Sequence, residues 1–286
     1  MNLFKRISMA SLALAATVGL SLGSVSTNAN AASVSGKVVV AGSTALLPLT
    51  QQAASEFKKL NPRVSISVSG SSSIAGPQSV SRGSATIGAC DWDATQPVKG
   101  FSAFKGLKAN KIAVIPFATI VNKANPVKNL TTSQLQGIFS GKITNWKQVG
   151  GKNAEIVVVN RKNGSGTRVN YQKKALKNVD FMKSGNYKEV GKSGEMAAAV
   201  NTNPNAIGYI DFPYIKGNLK AVSYNGVAAT TENVMNGKYP VWGYGYLLTK
   251  GNPTGANAAF IKYVQSSKFQ NGSLKKLKFI PINKMK

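Results

Sequence analysis

Arg161, Ser165 and Thr167 fall within one short run, NRKNGSGTR at 160–168, with Gly164 and Gly166 between them and the apolar stretch EIVVV just ahead. A guanidinium is a planar fork that matches two oxygens of one tetrahedral oxyanion. Glycines let backbone N–H groups approach a ligand closely, hydroxyls add donors, and a helix starting here would contribute its positive end. The chemistry of such a run is anion binding. Three more loops share its composition: AGSTAL at 41–46, SGSSSIAG at 69–76 and GACDWD at 88–93. A single Gly/Ser loop is usually an ordinary turn or helix cap. Four of them, each behind an apolar run, point to one shared site.

Composition removes most of the competing chemistry. The chain has no His and one cysteine, Cys90, so neither a Ser-His-Asp nor a Cys-His arrangement nor a His/Cys zinc site can be built within it. Asp91 and Asp93 could hold a hard cation, but a calcium loop needs more oxygen ligands at regular spacing. No metal, no cofactor and no catalytic residue is therefore expected, and the chain reads as a binding protein, not an enzyme. The stretch GNYKEVGKSG at 185–194 imitates a nucleotide-binding P-loop, but five residues separate Gly185 from Gly191 where the motif has four. Its Ser193 reads as a helix cap.

Strands and helices must hold these loops in place. GKVVVAG, VSISVSG and ATIGAC read as strands, with a helix in LPLTQQAASEFKKL that Asn61-Pro62 stops. Further on, TTSQLQGIF reads as a capped helix, EIVVVN and AIGYI as strands, and Thr167 to Leu176 and GEMAAAVNT as helices. The alternation gives the α/β class. IAVIPFATIVNK is too long for a surface strand and contains Pro116, so it reads as a strand crossing between two lobes, and VWGYGYLLTK as the return. A last helix is expected over 255–267. The lobes would be 32–117 plus 243–286, and 118–242.

The first 31 residues carry Lys5 and Arg6 ahead of an apolar stretch and end Ala29-Asn30-Ala31, the layout of a cleavable export signal. Export removes the protein from cytoplasmic nucleic acid, and no nucleic-acid reading motif occurs. Yet the chain has 36 Lys and Arg against nine acids, a net +27. One small anion does not require that much charge.

The order of AGSTALLPLTQQAASEF, SGSSSIAG, IGACD and RKNGSGT, with LTTSQLQGIFSGKITNWKQVGG between the last two, resembles the phosphate-binding protein family of bacterial phosphate ABC transporters. The similarity runs from about Val38 to the C-terminus. It implies a two-lobed fold of the periplasmic-binding-protein type (type II), with the two crossover strands forming a hinge. The function it implies is capture of inorganic phosphate and delivery to the permease subunits of an ABC transporter. Carried over by position, Thr44 and the backbone N–H of Ala45, Ser71, Asp91, Arg161, Ser165, Gly166 and Thr167 would hold phosphate, with Ser43 and Ser72 as further hydroxyls. Trp146 would pack as core.

Asp91 beside an anion has a physical rationale. A carboxylate only accepts hydrogen bonds, so it suits a ligand that still carries a proton, as hydrogen phosphate does and sulfate does not. The plainer reading of Asp91 is a helix cap or a partner of Arg82. The chain also departs from the family. Asn163 stands where an acid is common, so Arg161 must be held by another acceptor or held less rigidly. Near the expected cleavage site there is no cysteine to carry a lipid, so the expectation is a secreted protein whose basic surface attaches it to anionic cell-wall polymers. The alternative function is a basic wall-associated structural or adhesive protein binding such polymers. A phosphatase-like hydrolase is the other rival.

Overall fold

A computed structural model describes residues 34–285, so the export signal read over 1–31 lies outside the described residues. In chain order they form β1 (Gly36–Gly42), α1 (Leu47–Leu60), β2 (Val64–Gly70), α2 (Ala75–Ser81), β3 (Ile87–Cys90), β4 (Leu107–Asn122), β5 (Asn129–Leu130) and α3 (Thr132–Phe139). There follow β6 (Val157–Arg161), α4 (Gly166–Lys174), β7 (Tyr187–Val190), α5 (Ser193–Thr202), β8 (Ala206–Asp211), β9 (Leu219–Ala221), β10 (Ser223–Tyr224) and α6 (Thr231–Met235). The chain ends with β11 (Trp242–Lys250), α7 (Gly255–Gln265), α8 (Ser267–Asn271) and α9 (Ser273–Lys276). No helix among the described residues is long and apolar enough to cross a membrane.

One curled sheet carries the molecule, in the order β2-β1-β3-β11-β4-β8-β6-β7, with β9 added to β4. β4 links its two halves. From Leu107 to Pro116 it pairs antiparallel with β11, and from Phe117 to Val121 with β8. The change of partner falls one residue after Pro116, the proline that made this run look unlike an ordinary strand. A proline has no N–H to give to a ladder, and a strand that changes neighbours tolerates the loss. Within the first half β1, β2 and β3 are parallel, and within the second β6 is parallel to β7 and β8. Their buried runs, such as Ile-Gly-Ala-Cys and Ala-Ile-Gly-Tyr-Ile-Asp, have the continuous apolar character of strands covered on both faces.

Helices seal the two faces. On α1, Leu49, Ala53, Ala54 and Phe57 are buried, the helical stripe legible in the sequence, and Phe57 meets Phe260 of α7 edge to face. Thr131 caps α3 through the N–H of Gln134, whose side chain returns the bond to Thr131 N. Trp146 is core, as expected, its indole N–H bound to the carbonyl of Asn205. The last helix is shorter than expected. Ser266 is extended and its hydroxyl takes the N–H of Phe269, so α7 stops at Gln265 and α8 restarts beyond. The P-loop imitation has a strand, β7, inside it and not before it.

Candidate oxyanion-binding site

The four polar loops all leave the carboxyl ends of strands: β1 ends at Gly42, β2 at Gly70, β3 at Cys90 and β6 at Arg161. Ligands of open α/β sheets sit at such ends. Two further loops converge on the same place. They follow β7 and β8, and supply Ser193, Asp211 and Tyr214.

Arg161 is the centre of the arrangement. It is the last residue of β6 and only 1% exposed. Its Nη1 donates to Ser193 Oγ at 3.1 Å, and its Nη2 to Thr44 Oγ1 at 3.2 Å and to the Gly191 carbonyl at 2.8 Å. Its backbone N–H is held by the hydroxyl of Tyr209 at 3.2 Å. Burial lowers the pKa of the guanidinium, opposed by Tyr209, Asp211 and Asp91. A buried guanidinium stays charged, so this cation commits the site to negative charge.

Thr44 joins the two halves of the molecule. Besides Arg161, its Oγ1 accepts the N–H of Ser193 at 3.0 Å, and its carbonyl accepts the hydroxyl of Tyr214 at 2.8 Å. Ser43 turns the other way. Its backbone N–H donates to the Ala89 carbonyl, and its hydroxyl donates to the Asp91 carboxylate while accepting the N–H groups of Ala45 and Leu46. The N–H of Ala45, expected to face the anion, is thus engaged by its own loop, because Ser43 serves the start of α1.

Asp91 stands across from Arg161, 1% exposed. Burial raises its pKa, while hydrogen bonds from Ser43, Ser73 and Thr167 and the charge of Arg161 hold it down. Its backbone N–H lies 3.4 Å from Ser73 Oγ, and its carbonyl accepts Asn170 Nδ2 of α4 at 2.8 Å. Arg82, the alternative partner, lies exposed at the end of α2. The Gly166 backbone presses on Asp91: a Cβ there would stand 2.5 Å from Asp91 Cβ and 2.4 Å from Ser73 Oγ. Ser165 caps α4 through the N–H of Arg168 at 3.3 Å, and both Ser165 and Thr167 are buried. The positive end of α4 therefore opens directly onto Asp91 and Arg161.

Two sequence readings are corrected. Ser71 is exposed, its backbone N–H bound to the Gly42 carbonyl, and Ser72 is half buried. The third serine of the run, Ser73, is the buried one against Asp91. Three adjacent serines look alike in a sequence, and only the turn into α2 decides which of them faces inward. Ser193 is the first residue of α5, not a cap, and its hydroxyl meets Arg161 and Thr44. Asn163 does not reach Arg161, since its side chain accepts its neighbour's N–H, that of Gly164, at 3.1 Å.

Asp211 escaped the sequence reading. It ends β8 opposite Phe117, where β4 changes partners, and is fully buried. Burial first and Asp91 second push its carboxyl well above the usual range, opposed by the local backbone, by Arg161 and by the Ser193 hydroxyl. The only signal available was an acid closing an otherwise apolar strand in a chain with nine acids.

Known proteins are similar to this chain over most of its length. Residues 27–268 match the model of the PBP superfamily domain. Phosphate-binding protein PstS of Bacillus subtilis is 36% identical over 253 residues, 88% of this chain and 83% of that protein. The crystal structure of a substrate-binding protein from Clostridium perfringens, assigned to phosphate ABC transport and holding bound phosphate, superposes with a TM-score of 0.77 at 35% identity, covering 86% of this chain and all of that one. An ABC-type phosphate transport receptor from Vibrio cholerae gives 0.67 at 27%, covering 85% and 99%. A chain with this sheet, these converging loops and relatives this near over nearly its whole length belongs to the PBP superfamily, among the phosphate-binding proteins of bacterial ABC transporters.

Proposed function

We propose that the protein captures inorganic phosphate outside the cytoplasm, between lobes formed by 32–117 plus 243–286 and by 118–242, and hands it unchanged to an ABC permease. One observation carries this reading: a fully buried arginine fork faces a fully buried carboxylate, with serine and threonine hydroxyls from both halves around them. Arg161, Thr44, Ser193, Thr167 and the start of α4 supply positive charge and donors for the oxygens. Asp91 accepts the proton that distinguishes hydrogen phosphate from sulfate. Ser43 and Ser73 hold Asp91, and Ser165 and Gly166 hold the helix end against it. Bonds such as Thr44 to Ser193 and Tyr214 to the Thr44 carbonyl are those that a closing of the lobes about β4 and β11 would make and break.

The chemistry present is recognition. A hydrolase would need a nucleophile activated by a base or a metal, and the buried hydroxyls here are bound to Arg161, to Asp91, to one another or, for Ser165, to the start of α4. Inertness toward a chromogenic phosphate ester is the expected result. A protein that acts only by surface adhesion has no use for a buried arginine and two buried acids. The deciding experiment is calorimetric titration of protein unfolded and refolded to strip carried-over ligand. One-to-one phosphate binding, silence toward sulfate and collapse in Arg161→Ala are expected. Absence of saturable phosphate binding in well-folded protein would end the proposal.

A further inference from the structure

Three side-chain atoms stand out among the described residues as buried without a hydrogen-bond partner: Nε of Arg161 and both carboxyl oxygens of Asp211. One is a donor and two are acceptors, and they belong to residues close enough to bias each other's charge. A buried polar atom without a partner is costly and uncommon. Complementary orphans on neighbouring residues at the centre of a site are better explained as two halves of one bond.

Their positions in the fold support this. Arg161 closes β6 and Asp211 closes β8, parallel neighbours paired through Val157 to Ala206 and Val158 to Ile207. Both side chains therefore emerge at the same end of the same half-sheet. In the arrangement described here both Nη atoms are turned toward Ser193, Thr44 and Gly191. A guanidinium that gives its Nη edge to an oxyanion can rotate its Nε–H toward an acceptor behind it. Asn163 is turned into its own loop and cannot serve as that acceptor. The acids nearest in charge to Arg161 are Asp211, Asp91 and Glu195. Asp91 is occupied by Ser43, and Glu195 by the N–H groups of Gly191 and Lys192.

We propose that Asp211 is the positioning residue of this site: its carboxyl accepts the Nε–H of Arg161 as phosphate takes the Nη edge, and so fixes the fork in the plane that grips the anion. Asp211 does not touch the ligand. The inference rests on phosphate being the ligand and adds the group that orients its principal contact.

The test is phosphate titration of the stripped wild type, Asp211→Leu and Asp211→Asn, with the Arg161 Nε–H followed by NMR. The leucine variant keeps a branched side chain, though a larger one, and offers no acceptor, whereas asparagine matches the volume and keeps a carbonyl. Expected is a loss of about 10-fold or more in affinity for Asp211→Leu and near-complete rescue in Asp211→Asn, from the worth of a hydrogen bond to a charged group. An exchange-protected Nε–H signal should appear on phosphate addition in wild type and Asp211→Asn, not in Asp211→Leu. Folded Asp211→Leu that binds phosphate within about twofold of wild type would overturn the inference and leave the proposed function standing. Wild type that binds no phosphate would take down both. If Asp211→Leu fails to fold, Asp211→Asn alone decides, because an unprotected Nε–H in its phosphate complex contradicts the bond.

Discussion

At the scale of single residues, Asp91 and Asp211 are two acids buried near one arginine, and their environments assign them different work. Asp91 is surrounded by donors, from Ser43 and Thr167, with Ser73 against it, and in the proposed complex it would accept the ligand's proton. Replacing it with Asn supplies a group that can donate as well as accept. Sulfate binding should then become measurable by calorimetry, and preference for phosphate should fall by about 10- to 100-fold, the worth of one charged hydrogen bond. Neither oxygen of Asp211 has a partner at hydrogen-bonding geometry, and its carboxyl is held well above its ordinary range, chiefly by burial, with the Ser193 hydroxyl near enough to pull it back. For an acid whose folded pKa is raised, the folded state holds its proton longer than the unfolded chain does. The stability that proton supplies is complete below the unfolded value of about 4 and is lost as pH rises through the folded value. Asp211→Asn removes that loss, so ligand-free protein should melt higher than wild type at about pH 8 and gain little at about pH 4, while still binding phosphate. Sequence reading reached Arg161 through the Gly, Ser and Thr around it and Asp91 through the family resemblance, and the structure buries both at the same strand ends. Asp211 was not reached, because its neighbours in sequence are core residues and its partners lie 50 positions away at Arg161 and further at Asp91.

Secondary-structure elements set how closely those residues can meet. The main strands and helices could be read from periodicity, and Pro116 marked the strand that changes partners. Short pieces such as β5, β9 and β10 carried too few residues for any period to show, and they exist because neighbouring backbone offers them a ladder. Ser71 was named in place of Ser73, and Ser193 taken as a cap, for the same reason: the residue that faces inward depends on where a helix starts, and element boundaries are what a sequence fixes least. Gly166 exposes the tolerance. It is the first residue of α4, and an added methyl would meet Asp91 Cβ, Asp91 Oδ2 and Ser73 Oγ at 2.4–2.6 Å. Its conformation suits any residue, so the constraint is contact and not backbone strain. Gly166→Ala should therefore keep its helix, with a circular dichroism spectrum like that of wild type. It should also push α4 off Asp91 and weaken phosphate binding by about 100-fold or more, since misplacing a positioned charge by about 1 Å carries a cost of that order.

On the scale of the whole molecule, the site and the surface use charge differently. Inside, one guanidinium and two carboxyls share a buried site, where their charges are weakly screened. Over the rest of the sequence, with Asp91, Asp211 and Arg161 set aside as buried, seven acids stand against 35 cations, so most positive charge has no acidic partner and is screened by salt. The exposed bridge between Lys99 and Asp180, at 2.8 Å with both side chains more than half exposed, spans the proposed lobes. Pairs of this kind are worth little, so Lys99→Ala should change phosphate affinity by less than about threefold. The surplus charge instead acts at long range. Its expected effects are to draw phosphate toward the proposed cleft and to hold the protein against anionic wall polymers. Both effects must fade as ionic strength rises, whereas the buried grip on phosphate must not. Stopped-flow binding should accordingly show an association rate that falls several-fold between about 20 mM and 500 mM salt with a nearly constant dissociation rate. Washing cells with the same salts should release the protein over that range. A protein retained at about 500 mM salt, where the screening length is near 4–5 Å, would be held by something other than its charge.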